Sequence, residues 1–158
     1  MKRKMRGLLL AMSVLLLLGI TACGGVKTAE VDVAQVMEEM REAHPIQGSL
    51  QLTDTDMLNF YGIDTDTLES YSAEMAADGI TANEVVLVKA KDEESAKTVE
   101  TKLQNRLDAR RNEFKNYLPD QYAVVEKSEV KRDGVYVRLI MSPYQDELAE
   151  LYDSRLKG

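Results

Sequence analysis

The side chain with the most definite chemistry in this sequence is Cys23, the only cysteine among 158 residues, set directly behind an apolar run in "LLLLGITACGG". A thiolate alkylates readily, and a lone thiol has no partner within the chain for a disulfide. Covalent modification at Cys23 is the chemistry this placement points to. Upstream, Met1 to Arg6 carries Lys2, Arg3, Lys4 and Arg6 with no acid, and the stretch to Ile20 is apolar apart from Gly7, Ser13 and Gly19. A basic segment followed by an apolar one is the pattern of an export signal. The apolar core is about 14 residues, short of the roughly 20 that a helix needs to cross the hydrocarbon.

The end of that run, "ITAC", places a branched apolar residue three before the cysteine and small residues between them. It is similar to the lipobox of bacterial lipoprotein signal sequences. The resemblance implies that the Cys23 sulfur receives a diacylglycerol thioether and that a peptidase cuts between Ala22 and Cys23. Residues 1–22 are then a lipoprotein signal peptide, and 23–29 hold the lipidated cysteine and a short linker. One acyl chain anchors only marginally, at about 0.8 kcal/mol per buried methylene, whereas two palmitate-type chains hold durably. A permanent span and an ordinary secreted protein with an incidental cysteine are the competing readings.

Other reactive side chains fall short of a constellation. His44 is the only histidine, which excludes histidine triads and zinc sites with two or more histidines. It stands beside Pro45, where a capping or surface role is expected. Asp54, Asp56, Asp64 and Asp66 suggest calcium, but an EF-hand loop opening at Asp54 needs Gly and Glu where Asn59 and Thr65 stand. Helix caps and turns account for these acids. No Gly-rich phosphate loop, nucleophile elbow or Ser-x-x-Lys motif appears, so no catalytic residue and no cofactor is assigned. Arg110 falls inside the apolar arc of a long helix, with Arg106 at its edge. Either the pair forms a binding surface, or the aliphatic stems cover the core while the guanidinium groups pair with acids.

Removing residues 1–22 leaves sixteen basic side chains against 27 acidic ones, a net charge of about −11. Such a domain is repelled by nucleic acid and by an anionic bilayer. Without disulfides its fold rests on its core, which a chain of this length supports as one domain over residues 30–158.

The elements that would carry these residues follow from periodicity. Asp32 caps a helix with Val33, Val36, Met37 and Met40 on one stripe, ended by Pro45. "PIQGS" is a loop, and a short helix capped by Asp54 stops at Gly62. "LESYSAEMA" fits a helix through Leu68, Tyr71 and Met75 and a strand face through Tyr71, Ala73 and Met75; taken as a strand, it forms a hairpin with "EVVLVKA" around "ADGITAN". Asp92 caps a long helix that runs to Pro119, with Ala96, Val99, Leu103, Leu107, Phe114, Tyr117 and Leu118 on its apolar arc. "QYAVVEKSEVKRDGVYVRLIM" gives two more strands around "RDG", with Val135, Val137, Leu139 and Met141 alternating inward. Ser142, Pro143 and Gln145 open a closing helix whose buried stripe is Tyr144, Leu148, Leu151 and Leu156. The expected fold is α+β: an antiparallel four-stranded sheet, order α-β-β-α-β-β-α, with a long helix packed on one face and the helices on that side.

Tyr71 with Glu74 and Met75, Asn83 to Val88, "KAKDEESA", "YLPDQY" from Tyr117 and "DGVYV" from Asp133 resemble a family of small lipoproteins from Gram-positive bacteria, the domain of unknown function numbered 4358. The resemblance spans residues 30 to 157. It implies a location and an architecture, and it lends no catalytic residue. The expectation is a noncatalytic, membrane-anchored domain on the extracytoplasmic face that binds a protein or envelope component. A small cell-envelope hydrolase and a solute-capturing lipoprotein are the alternatives.

Overall fold

Asp32 opens the first element in the computed structural model, which describes residues 30–158; residues 1–29, with the expected signal peptide, Ala22, Cys23 and the expected linker, lie outside the described residues. Its carboxylate accepts the amides of Ala34 (2.9 Å) and Gln35 (3.3 Å) and starts α1, Val33–Ala43. The buried stripe is Val33, Val36, Met37 and Met40, as the spacing predicts. After Gly48, at φ +60°, comes β1, Ser49–Gln51. Thr53 and Asp56 form a reciprocal cap for α2, Asp54–Tyr61, so Asp54 is the first helical residue and not the cap. Gly62, at φ +67°, ends α2 in the left-handed conformation that only glycine takes without strain.

A one-turn 3₁₀ helix at Thr65–Thr67 leads into β2, Leu68–Ala76, and β3, Glu84–Ala90, which form the expected hairpin. The long helix α3, Glu93–Lys115, is capped by Asp92. Then come α4, Pro119–Lys127; β4, Glu129–Asp133; β5, Tyr136–Met141; and α5, Gln145–Lys157.

All strands are antiparallel in one sheet of order β1-β2-β3-β5-β4. Side chains of a strand alternate between faces, so each strand feeds two cores. One face carries Ala73, Val86, Val88, Val137, Leu139 and Met141 against α3, with α2 and α4 completing that layer. The other carries Val85, Leu87, Tyr136 and Ile140 against α1 and α5. The central strands β3 and β5 are therefore buried on both sides.

This corrects several expectations. The sheet has five strands, because "PIQGS" contributes the start of β1, too short to show a period. The helices lie on both faces rather than one. "PDQYAVVEK" is helix α4 and not strand: Pro119 suits the first helical position, and Val125 alone is fully buried from it. The order becomes α-β-α-β-β-α-α-β-β-α. Helix α3 stops at Lys115, leaving Tyr117 82% exposed, and α4 packs against α3. Helix α5 begins at Gln145 without a side-chain cap, and its buried stripe is Leu148, Tyr152 and Leu156, with Tyr144 exposed.

Candidate binding cleft

Residues 136, 138 and 140 of β5 face the α1–α5 layer, and the middle one is Arg138. Its neighbours on that face, Tyr136 and Ile140, are apolar and buried, and Arg138 itself is only 3% exposed. Its Nη2 donates to Glu129 Oε1 on β4 (3.2 Å), and its Nε lies 3.6 Å from Asp153 Oδ1 on α5. At 3.6 Å the second contact is an ion pair without a hydrogen bond. Arg138 Nε, Asp153 Oδ1 and the Tyr152 hydroxyl are buried without hydrogen-bond partners among the described residues. Burial pushes the Tyr152 phenol ionisation up, and the guanidinium 6.0 Å from its ring opposes that shift. Lys131 Nζ holds the other Asp153 oxygen at 2.8 Å.

Above Arg138, between α5 and the β4–β5 edge, lies an open cleft of about 480 Å³. Asp146, Glu150 and Asp153 recur along one face of α5 and form one wall; Glu129 and Lys157 complete the rim. An adjoining hollow of about 210 Å³ shares Arg138 and Glu129 and adds Lys127 and Gln145. The cleft thus offers a desolvated guanidinium below a rim of mixed charge. Groups so arranged can make charge-assisted hydrogen bonds.

Three other arginines, buried at Arg110 and half-buried at Arg106 and Arg41, are spent inside the fold. Arg106, at the edge of the α3 apolar arc, donates to both carboxylate oxygens of Glu84 (3.1 and 2.7 Å) and stacks 5.5 Å from the Tyr61 ring. The Tyr61 hydroxyl lacks a well-formed hydrogen bond there, and burial, then the Glu84 charge, raise its ionisation. Arg110 is 7% exposed, bonded to Glu113 (2.7 Å) and to the Thr81 carbonyl (3.3 Å), with its guanidinium 4.1 Å from the Phe114 ring. The two arginines face a packed core rather than an open surface. Arg41 reaches Glu74, buried on the opposite face of the sheet (2.9 Å).

His44 caps α1, places Nε2 2.8 Å from Glu147 and stacks on Tyr144 at 4.0 Å, a local role as expected. The acidic doublets act as caps and turn residues. Asp54 accepts the Tyr71 hydroxyl at 2.6 Å, and burial, then this bond, pushes the phenol up to about 12. Asp64 accepts the Asp66 amide at 3.0 Å. Among the described residues no three His, Cys, Asp or Glu side chains are grouped to hold a metal, and no helix is long and apolar enough to cross a membrane. The expected lipidation site, Cys23, and the expected cleavage position at Ala22 lie outside the described residues.

Reading β5 as one-sided hid Arg138. The signal was present: "VYVRLIM" holds a single charge in a run of seven residues, which marks a buried strand with one inward polar group.

Residues 42–142 match the model of a family described as Domain of unknown function (DUF4358). No curated protein and no solved structure matches the chain. The match takes in more than half of the sequence, including every strand and the floor of the cleft, and the chain belongs to that family.

Proposed function

We propose that this DUF4358 member is a noncatalytic binding domain, held on the extracytoplasmic face of a cell membrane by a diacylglycerol thioether on Cys23. In this reading the cleft over Arg138 receives part of a protein or other envelope partner. The observation that carries the proposal is the position of Cys23, directly behind a basic and then apolar leader and seven residues before the first described residue, Glu30. The acidic mature chain supports a partner other than nucleic acid, whose phosphates it would repel. The mixed charges around Arg138 support selection of a partner by complementary charge, which sets specificity and encounter rate more than raw affinity.

The experiment is crosslinking in cells of the tagged protein beside two variants, Cys23→Ala and the charge-reversed Asp146→Lys/Glu150→Lys. Cys23→Ala should leave the membrane fraction after alkaline washing, and the double variant should stay there but lose the crosslinked partner. Retention of Cys23→Ala on membranes would refute the anchor. Unchanged capture by Asp146→Lys/Glu150→Lys would refute the cleft.

A further inference from the structure

The described chain is pinned to one end of the sheet from its first residues. Glu30 sits 3.3 Å from the Lys89 ammonium, at the C-terminal end of β3. The Val31 amide donates to the Tyr136 hydroxyl at 2.9 Å in a buried bond, at the N-terminal end of β5. Val31 and Val33 are themselves buried in the α1–α5 core. The antiparallel register puts Leu68, Ala90 and the β4–β5 turn at Gly134 at this same end. Ala76, Glu84 and Met141 mark the opposite end, from which the β2–β3 tip around Ile80 projects.

Covalent reach decides which end can meet a bilayer. Seven residue steps separate Cys23 from Glu30, a span of roughly 24 Å at about 3.4 Å each. The seven residues of β3 alone extend about 23 Å at about 3.3 Å each, and the β2–β3 tip lies beyond them. To bring that tip to the headgroups, the tether would have to run straight and flat along the whole domain. Every relaxed arrangement of the tether leaves the Lys89–Tyr136 end nearer the membrane.

We infer that the domain hangs from the bilayer by this end, with the β3–α3 junction at Lys91–Asp92 and the β4–β5 turn facing the lipid and the β2–β3 tip facing outward. The inference rests on lipidation of Cys23. The facing end does not adhere. Asp64, Asp66, Glu69, Asp92, Glu93, Glu94 and Asp133 outnumber Lys89, Lys91 and Arg132 there. Lys89 is already engaged by Glu69 at 2.6 Å and Lys91 by the Asp66 carbonyl at 2.6 Å. Anionic headgroups repel such a surface within a Debye length of about 8 Å, so the lipid is its neighbour and the tether alone sets the distance.

The test uses the full lipidated protein in phosphatidylglycerol–phosphatidylethanolamine vesicles carrying an energy-transfer acceptor on a fraction of the headgroups. Glu93→Cys and Ile80→Cys, both at exposed positions on opposite ends, are labelled with a donor fluorophore. A lipidated Cys23 has no reactive thiol, so each variant should take up one label, and transfer from position 93 should exceed that from position 80 by about twofold. A flexible insert of twenty Gly and Ser residues between Ala29 and Glu30 should erase the difference. Two labels per chain would sink the anchor and the orientation with it. One label with equal transfer, or with stronger transfer from position 80, would sink the orientation alone. A difference that survives the long insert would mean that surface contact, not the tether, orients the domain, and would also overturn it.

Discussion

Glu84 shows how much of the interior chemistry is structural. It is 1% exposed at the start of β3, and its carboxylate takes two hydrogen bonds from Arg106 across the α3 face. Desolvation of both ions is offset only by this two-point geometry. Glu84→Ala leaves the guanidinium unpaired and should cost about 3–5 kcal/mol in urea unfolding, whereas Glu84→Ala with Arg106→Met should recover much of that loss. The cap carboxylates contribute to the pH dependence of stability at the acid end. The Ser95 amide holds the Asp92 carboxyl below its ordinary 3.8, and Thr53 does the same for Asp56. The folded state therefore prefers the charged form. That stabilisation is complete above 3.8 and is lost as pH falls through the lower folded value. Denaturant midpoints should drop as pH falls below 3.8, and Asp92→Asn, which still caps the helix but does not titrate, should show a shallower drop. The spacing misplaces the Thr53–Asp56 cap at Asp54, whereas the Asp92 cap was legible from spacing alone. Arg138 was not, because its environment depends on which elements cover the second face of β5.

Strand β3, the Asp32 and Asp92 caps and the α1 stripe were legible because local pattern and tertiary burial agree there, whereas the pattern of β2 fits a helix as well as a strand. Valine runs and i, i+3, i+4 spacing need no knowledge of what packs above them. Helix α4 was misread because its valines and tyrosine favour strand in isolation, while its register is set by contacts with α3. Arg111 donates to the Ser128 carbonyl at 2.7 Å, and Gln121 accepts the Ala82 amide at 2.8 Å, so distant residues hold both ends of α4. An element held this way should open before the central strands. In hydrogen exchange the amides of β3 and β5 should be the slowest, with β1 and α4 exchanging well ahead of global unfolding. Val125→Ala removes the one fully buried side chain of α4 and should cost about 2 kcal/mol while speeding exchange in α4 first.

For the molecule as a whole, the family match and the folding unit have different limits. The match runs over residues 42–142 and so leaves out nearly all of α1 and the whole of α5. Those two helices are the entire cover of one face of the sheet, and they bury Val85, Leu87, Tyr136 and Ile140 together with their own Val36, Met40, Leu148 and Tyr152. A sheet of two-sided central strands cannot leave one face in water, since about 25 cal/mol is forfeited for every Å² of apolar surface uncovered. It follows that a polypeptide of residues 42–142 should aggregate or remain unfolded. Residues 30–158 should unfold in one cooperative transition. Because the chain has one cysteine, outside that span, the transition should be indifferent to reductant. Circular dichroism melts of the two polypeptides with and without dithiothreitol measure this directly. A cooperative melt from 42–142 would show that the α2–α3–α4 layer alone supports the sheet, making α1 and α5 an added layer whose removal leaves Arg138 open to solvent.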